Sequence, residues 1–526
     1  MTDVIRTAIT ESTQKVFGLS TEDMPALDIQ FTPDITMGDY AVPIGFVLAK
    51  KLRTAPEKIA QTIAENLQGP FRAEAVKGYV NVTMDDDWWL DRLSQGFISY
   101  PQYSGKVLVE YVSANPTGPI HIGHGRGAVV GSVLANLLDR VYDFADSEFY
   151  VNDAGEQIRK FCKSVEIRIR ELKGEDVELP EDAYHGDYVV DIAKSILDRY
   201  NWDALSEDEQ WNVLWNDAVD MMRKWHKETL EKLGVTMKVW TSERLIRQEG
   251  WPERVIQLLQ DKGYAYEQDG ALWFKSTIFG DDKDRVLVKS NGEYTYYLVD
   301  IAYHMEKIHR GYNVLINVWG ADHIGHVPRM NAALTALGFP DCLTVVLVQT
   351  VRFWRQGVAV AMSKRKGEFL TLDELIDEIG KDAARIMFIT RSVDATIDFD
   401  IEVAKQKAMD NPVYYIQYAY VRAKNILTRT EERQFGSSVG FDPHERTLLR
   451  LLNAFQERMA LAVRKLDPFV IESYAWELSD AFHKFYQFDR VIGSEYENAR
   501  WQLVERFTEV MEELFTLLGI EKLERM

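Results

Sequence analysis

Cysteine is almost absent from this chain: there are two in 526 residues, Cys162 and Cys342, far apart in sequence. So few exclude a disulfide framework and any four-cysteine zinc site, and they suit a reducing compartment, so a cytoplasmic location is expected. Long apolar runs are also missing. No stretch approaches the roughly 20 residues that cross a bilayer, and no membrane association is expected. The opening MTDVIRTAITESTQKVF has helical spacing and acidic residues, unlike a secretory leader. Positive charge is in deficit, with 61 Lys and Arg against 82 Asp and Glu and a formal net charge of −21. On charge alone a nucleic-acid partner is disfavoured, because phosphate binding leaves a basic footprint that local patches must then supply. Internal repeats and low-complexity tracts are lacking.

What is present is ample core material, 46% hydrophobic against 27% charged residues, over a length that predicts two to four domains. Residues 1–86 read as a first unit with helices and the short strand GYVNVTM (78–84), followed by an acidic linker at Asp85, Asp86 and Asp87. Residues 104–408 form a second unit. There VLVEYV (107–112) reads as a strand, and 128–142 as a helix with Val129, Val130, Val133, Leu134, Leu137, Leu138 and Val141 on one face. A charged, mostly helical insertion is expected at about 160–285. After it, VLVK (286–289), an Asn291-Gly292 hairpin signal, YTYYLV (294–299), VLINVW (314–319) and LTVVLVQ (343–349) read as strands, with a helix from Asp300. The alternation predicts an α/β, doubly wound parallel sheet with ligands at the carboxyl ends of its strands. Residues 409–526 read as a separate all-helical domain.

Between the first strand and helix of the second unit lies NPTGPIHIGHGRG (115–127), with His121 and His124, Pro116 and Pro119, and four glycines. A glycine-rich turn entering a helix N-terminus is an anion site, since unpaired N–H groups and the helix dipole point at the ligand. Both imidazoles can reach one phosphate, and Gly123 and Gly125 leave room for a purine or ribose against the backbone. Other readings compete. Zinc can use the HxxH spacing, though neither cysteine nor a metalloprotease-type glutamate accompanies it. Gly125, Gly127 and Gly131 after a strand suggest a dinucleotide fold, and a tight turn with satisfied histidines is the plain alternative.

The segment resembles the HIGH signature of class I aminoacyl-tRNA synthetases, and most closely arginyl-tRNA synthetase. FYVNDAGEQI (149–158), TYYLVDIAYH (295–304), NVWGADHIGHVPR (317–329), MSKRKGEFLTLDEL (362–375) and NPVYYIQYAYVRA (411–423) extend the resemblance, in family order, over essentially the whole chain. It implies a Rossmann-type catalytic domain, a small α+β N-terminal domain and a helical anticodon-binding domain. It also implies an ATP-dependent ligase that joins L-arginine to its tRNA through an adenylate and transfer to the terminal 2′-hydroxyl. His121 and His124 then act on the α-phosphate, while Ser363 and Lys364 follow the departing pyrophosphate, mainly by electrostatic stabilisation. Gly123, Gly125, Gly320, Asp322, His323 and Met362 are the expected ATP contacts, with Mg2+ accompanying ATP and no protein-bound zinc. The family's loop usually opens with lysine where Ala361 stands; losing that cation costs on the order of 1–3 kcal/mol unless replaced, and Lys106 is a possible substitute.

A guanidinium calls for bidentate carboxylates in a semi-enclosed pocket. Glu110 and Asp300 supply them, with Tyr296 one turn earlier closing the pocket; a plain N-cap remains the alternative for Asp300. By resemblance, Glu110, Tyr296 and Asp300 contact the side chain, and Ser113 and Asn115 the backbone groups of arginine. Tyr415, Tyr418 and Arg422 share one helix face and suit stacking on unpaired anticodon bases, although such a stripe is also ordinary core. The resemblance assigns these three to the anticodon, places Tyr79 and Asn81 near the tRNA elbow, and implies a monomer. Another class I synthetase or a catalytically impaired tRNA-binding relative is the alternative, and an NAD(P)-dependent oxidoreductase a more distant one.

Overall fold

Val107, Leu108 and Val109 are all buried, as in a strand covered on both faces. They belong to Tyr103–Glu110, the middle strand of a five-stranded sheet in a computed structural model that describes residues 3–360, 370–429 and 440–526. Across the sheet the strands run Leu343–Val348, Val314–Gly320, Tyr103–Glu110, Tyr142–Val151 and Val239–Ser242, every neighbouring pair parallel. The chain order reverses between Tyr103–Glu110 and Val314–Gly320, and that switch point opens a crevice at their carboxyl ends.

Three expectations fail locally. YTYYLV is not a strand: Thr295 accepts a hydrogen bond from Leu298 N–H and caps the helix Tyr296–His309. The cap and the helical spacing of buried Leu298, Ile301 and Ala302 override the aromatic β-preference. Asp300 therefore sits inside that helix rather than opening it. VLVK does form a strand, Arg285–Val288, but in an antiparallel three-stranded sheet with Ala265–Gln268 and Ala271–Phe274. The Asn291-Gly292 turn closes on a single bridge, Val288 to Tyr294. Val239–Ser242, inside the stretch read as a helical insertion, is the edge strand of the central sheet.

The first unit is a four-stranded antiparallel sheet backed by helices Asp3–Phe17, Ile44–Leu52 and Pro56–Asn66. From Pro412 onward every element among the described residues is a helix, including Pro412–Leu427, Phe469–Phe488 and Glu497–Leu518. The α/β, α+β and all-helical units expected above are thus present. Two sets of arginine contacts join them. Arg446 pairs with Asp39 at 3.0 Å, tying helical unit to N-terminal sheet. The fully buried Arg385 donates to Leu518 O (2.7 Å), Gly234 O (3.1 Å) and Ser132 Oγ (3.2 Å). No helix among the described residues is long and apolar enough to cross a membrane.

Candidate active site

The central strand ends in two left-handed residues, Val112 (φ 72°) and Ser113 (φ 46°). For a β-branched residue this is a rare conformation, costing of order 1–3 kcal/mol. It folds Ser113 back onto the strand end, where its hydroxyl donates to Glu110 Oε1 (3.1 Å) and accepts from Tyr150 N–H (3.1 Å). The chain then enters the signature turn. His121 caps the short turn Ile122–His124, its Nδ1 accepting from Gly123 N–H at 3.0 Å. An accepting Nδ1 leaves the neutral ring's proton on Nε2, where it can be donated. The His124 ring stands 4.0 Å from that of His121, and the helix Gly125–Val141 follows directly. From the insertion, His226 donates through Nε2 to Gly118 O at 2.7 Å and Tyr188 donates to Thr117 O at 2.8 Å, pinning the loop. Burial holds the His226 imidazole below its ordinary pKa, as a neutral donor.

The glycines divide by role. Gly123 and Gly127 line an open cavity of about 830 Å³ at the switch point. Gly125 does not: a Cβ there comes within 2.4 Å of the Phe388 ring, so its missing side chain admits protein rather than nucleotide. Gly131 likewise makes room for Tyr111, at 2.1 Å. Two of the three glycines of the dinucleotide reading are therefore packing residues.

Glu110 and Asp300 line this same cavity, with Ser113, His121, His124 and His326. Glu110 is 7% exposed, and its Oε2 lies 2.5 Å from Lys307 Nζ. Lys307, 1% exposed, sits 4.1 Å from the Tyr303 ring centroid and donates to Asn317 Oδ1 at 3.4 Å. Asn317 Nδ2 donates to His304 Nε2 (2.9 Å), which leaves Nδ1–H facing Asp300 O (2.8 Å) and Asp300 Oδ1 (3.2 Å). His326 Nε2 meets Asp300 Oδ2 at 2.6 Å. Burial pushes the Asp300 carboxyl up, but His304 and His326 more than offset this and hold it well below the usual carboxylate range. Beside Glu110, in register on the neighbouring strand, the fully buried Glu148 accepts from Arg310 at 2.6 Å.

Other expected site residues fall out differently. Tyr296 is on the cavity rim but 71% exposed, so it does not close the pocket. The amide of Asn115 donates to Gln157 Oε1 at 2.5 Å and lies off the cavity lining, contrary to the expected arginine contact. Gly320, Asp322 and His323 line the cavity just beyond the strand end, Asp322 Oδ1 being 3.0 Å from His323 Nδ1. Lys106 is at the amino end of the central strand, beside Asn313 in a separate hollow, and cannot replace the loop cation. Met362, Ser363 and Lys364, with Ala361, lie outside the described residues. On the far side of that segment, Leu372 N–H bonds Ile120 O at 2.9 Å and Thr371 bridges His121. Lys307, Asn317, His304 and His326 were given no role from sequence, although Asn317 and both histidines stand inside the family-like motifs 295–304 and 317–329.

On the helical unit, Tyr415, Tyr418 and Arg422 do share one half-buried face. Tyr415 stacks on Trp476 at 5.5 Å, and the Arg422 guanidinium lies between the rings of Tyr418 (4.1 Å) and Tyr486 (4.8 Å). Phe488, 63% exposed, lies further along the helix of Trp476 and Tyr486. On the first unit Tyr79 is exposed, edge-on to exposed Phe46. Asn81 is buried with its amide donating to Met37 O at 3.0 Å, so it is a structural residue rather than a surface contact.

Residues 3–84 match the arginyl tRNA synthetase N terminal domain, 98–425 the catalytic domain of class I (R) tRNA synthetases, and 416–526 the DALR anticodon binding domain. An arginine–tRNA ligase of Carboxydothermus hydrogenoformans is 41% identical over 97% of this chain and 96% of its own. One of Geobacillus thermodenitrificans is 38% identical over 100% of this chain and 99% of its own. The Thermus thermophilus arginyl-tRNA synthetase structure, at 22% identity, superposes over 100% of both chains with a TM-score of 0.78, a likeness of fold. With its catalytic unit, its flanking domains and its full-length relatives in agreement, the chain belongs to the arginyl-tRNA synthetase family of class I synthetases.

Proposed function

We propose that this protein attaches arginine to its tRNA, activating the amino acid with ATP and passing it to the terminal ribose. The observation that carries the reading is that Glu110 and Asp300, from different elements, line one cavity at the carboxyl end of the switch-point strands. A guanidinium between two carboxylates satisfies both its charge and its planar donors. Attack of the arginine carboxylate on the α-phosphate of ATP forms arginyl-adenylate and releases pyrophosphate. His121, with its proton on Nε2, and His124 donate to the charge that builds on that phosphate. The backbone pairing of Ile120 and His121 with residues 371–372 supports a role for Ser363 and Lys364 at the same phosphates. Gly320, Asp322 and His323 would hold the adenosine. Mg2+, where bound, neutralises the triphosphate.

The 2′-hydroxyl of the terminal adenosine then attacks the adenylate's carbonyl, releasing AMP. Tyr415, Tyr418 and Arg422, backed by Trp476 and Tyr486, offer a stacking face for unpaired anticodon bases, and Tyr79 a smaller one for the tRNA elbow. We take the protein to act as a monomer. The test is aminoacylation across the twenty amino acids, together with ATP–pyrophosphate exchange with and without tRNA. Charging with arginine alone is expected; tRNA binding without charging, or charging with glutamate or cysteine, overturns the reading.

A further inference from the structure

We propose that Lys307 is a positioning residue for arginine, a resident cation that fixes the Glu110 carboxylate and, through Asn317 and His304, locks it to Asp300. The inference rests on the arginine-charging reading and deepens it. A carboxylate at the end of a strand can rotate about its terminal bond. Only a fixed plane presents both oxygens to a planar guanidinium. Here Lys307 Nζ holds Oε2 at 2.5 Å and the Ser113 hydroxyl holds Oε1 at 3.1 Å, so the plane is set before any ligand arrives.

The lysine is itself tightly placed. It lies about two helical turns beyond Asp300 on the same helix, Tyr296–His309, packed on the Tyr303 ring, with Glu148 4.0 Å away. Glu148 in turn holds Arg310, which also pairs with Glu306 at 2.9 Å, so acids and cations alternate along Glu110, Lys307, Glu148, Arg310 and Glu306. The alternation matters because arginine brings one more positive charge. Were Lys307 neutral, a buried Glu110 would lack its inner counterion and the local field would favour any small cation. With the ammonium in place, a compact second ammonium meets repulsion, while a delocalised guanidinium can bridge to Asp300.

The bridge to Asp300 is continuous. Asn317 is in register beside Glu110 on the neighbouring strand; its oxygen accepts from Lys307 and its amide donates to His304. His304 then donates to Asp300. Each polar atom along this path faces a partner of the correct sense, which fixes the amide orientation and the imidazole tautomer together. The distance between the two acids is thus set by buried protein groups rather than by the substrate.

The experiment compares Lys307→Met, Lys307→Arg and Asn317→Leu in steady-state charging of tRNA with arginine, each with its melting temperature. Wild-type charging tests the reading itself, so loss of the inference leaves that reading distinguishable. Lys307→Met is expected to raise the KM for arginine roughly 30-fold, as for truncating one partner of a buried charge pair. The KM for ATP should stay within about twofold and kcat should fall less than the arginine KM rises. Lys307→Arg should recover part of the affinity. A purely structural lysine instead lowers the active fraction, hence apparent kcat, and leaves both KM values alone; that outcome overturns the proposal. Should Lys307→Met not fold, Asn317→Leu decides: a raised arginine KM at constant ATP KM supports the inference, and an unchanged one sinks it.

Discussion

Asp300 keeps its charge because two imidazoles face its two oxygens. Asp300→Asn preserves the shape but removes the charge that a guanidinium needs, and is expected to raise the KM for arginine by about 100-fold, near 3 kcal/mol, in pyrophosphate exchange. Lys106→Ala, at the opposite end of the strand, should leave the same assay unchanged. A different titration governs stability. Burial pushes Glu472 up to about 8. Its folded pKa exceeds the unfolded value, so the native state holds the proton more tightly. Stability is therefore greater below the unfolded carboxylate pKa and falls as pH rises towards 8. Glu472→Gln should flatten this slope between pH 5 and 8 and raise stability at pH 8 by on the order of 2 kcal/mol, as read by thermal melts at both pH values.

Strand, signature turn and helix act together as one element. Gly125→Ala drives a Cβ into Phe388, and is expected to cost roughly 1–3 kcal/mol of stability along with charging activity. Calorimetry and charging rates of the variant check this. The signature helix was legible because Val129, Val133, Leu137 and Val141 recur at its period and are all buried. The strand before it was legible for the same reason, as a short β-branched run. The helix from Asp300 was legible, but its first turn, residues 296–299, was read as strand because aromatic residues suit one, and only the Thr295 cap and its packing settle the contest. Val239–Ser242 was missed because four half-buried residues carry no periodic signal.

The whole molecule is joined where sequence patterns are silent. Arg385 links the signature helix, the insertion and the last helix through a single buried guanidinium. Replacing it with Met leaves those carbonyls unpaired, and a loss of roughly 3 kcal/mol or more is expected, with earlier proteolysis of the C-terminal helix on heating. Limited proteolysis against temperature reads this out. The sequence by itself determined the three kinds of unit and the glycine-rich turn between strand and helix, because periodicity and glycine act locally along a chain. Only the tertiary structure decided that Gly125 serves Phe388, that Asn81 is interior, and that Lys307 stands on Glu110, 197 residues away. A buried charge must have a partner, but which partner it meets depends on how parallel strands and their helices pack, and no local pattern records that.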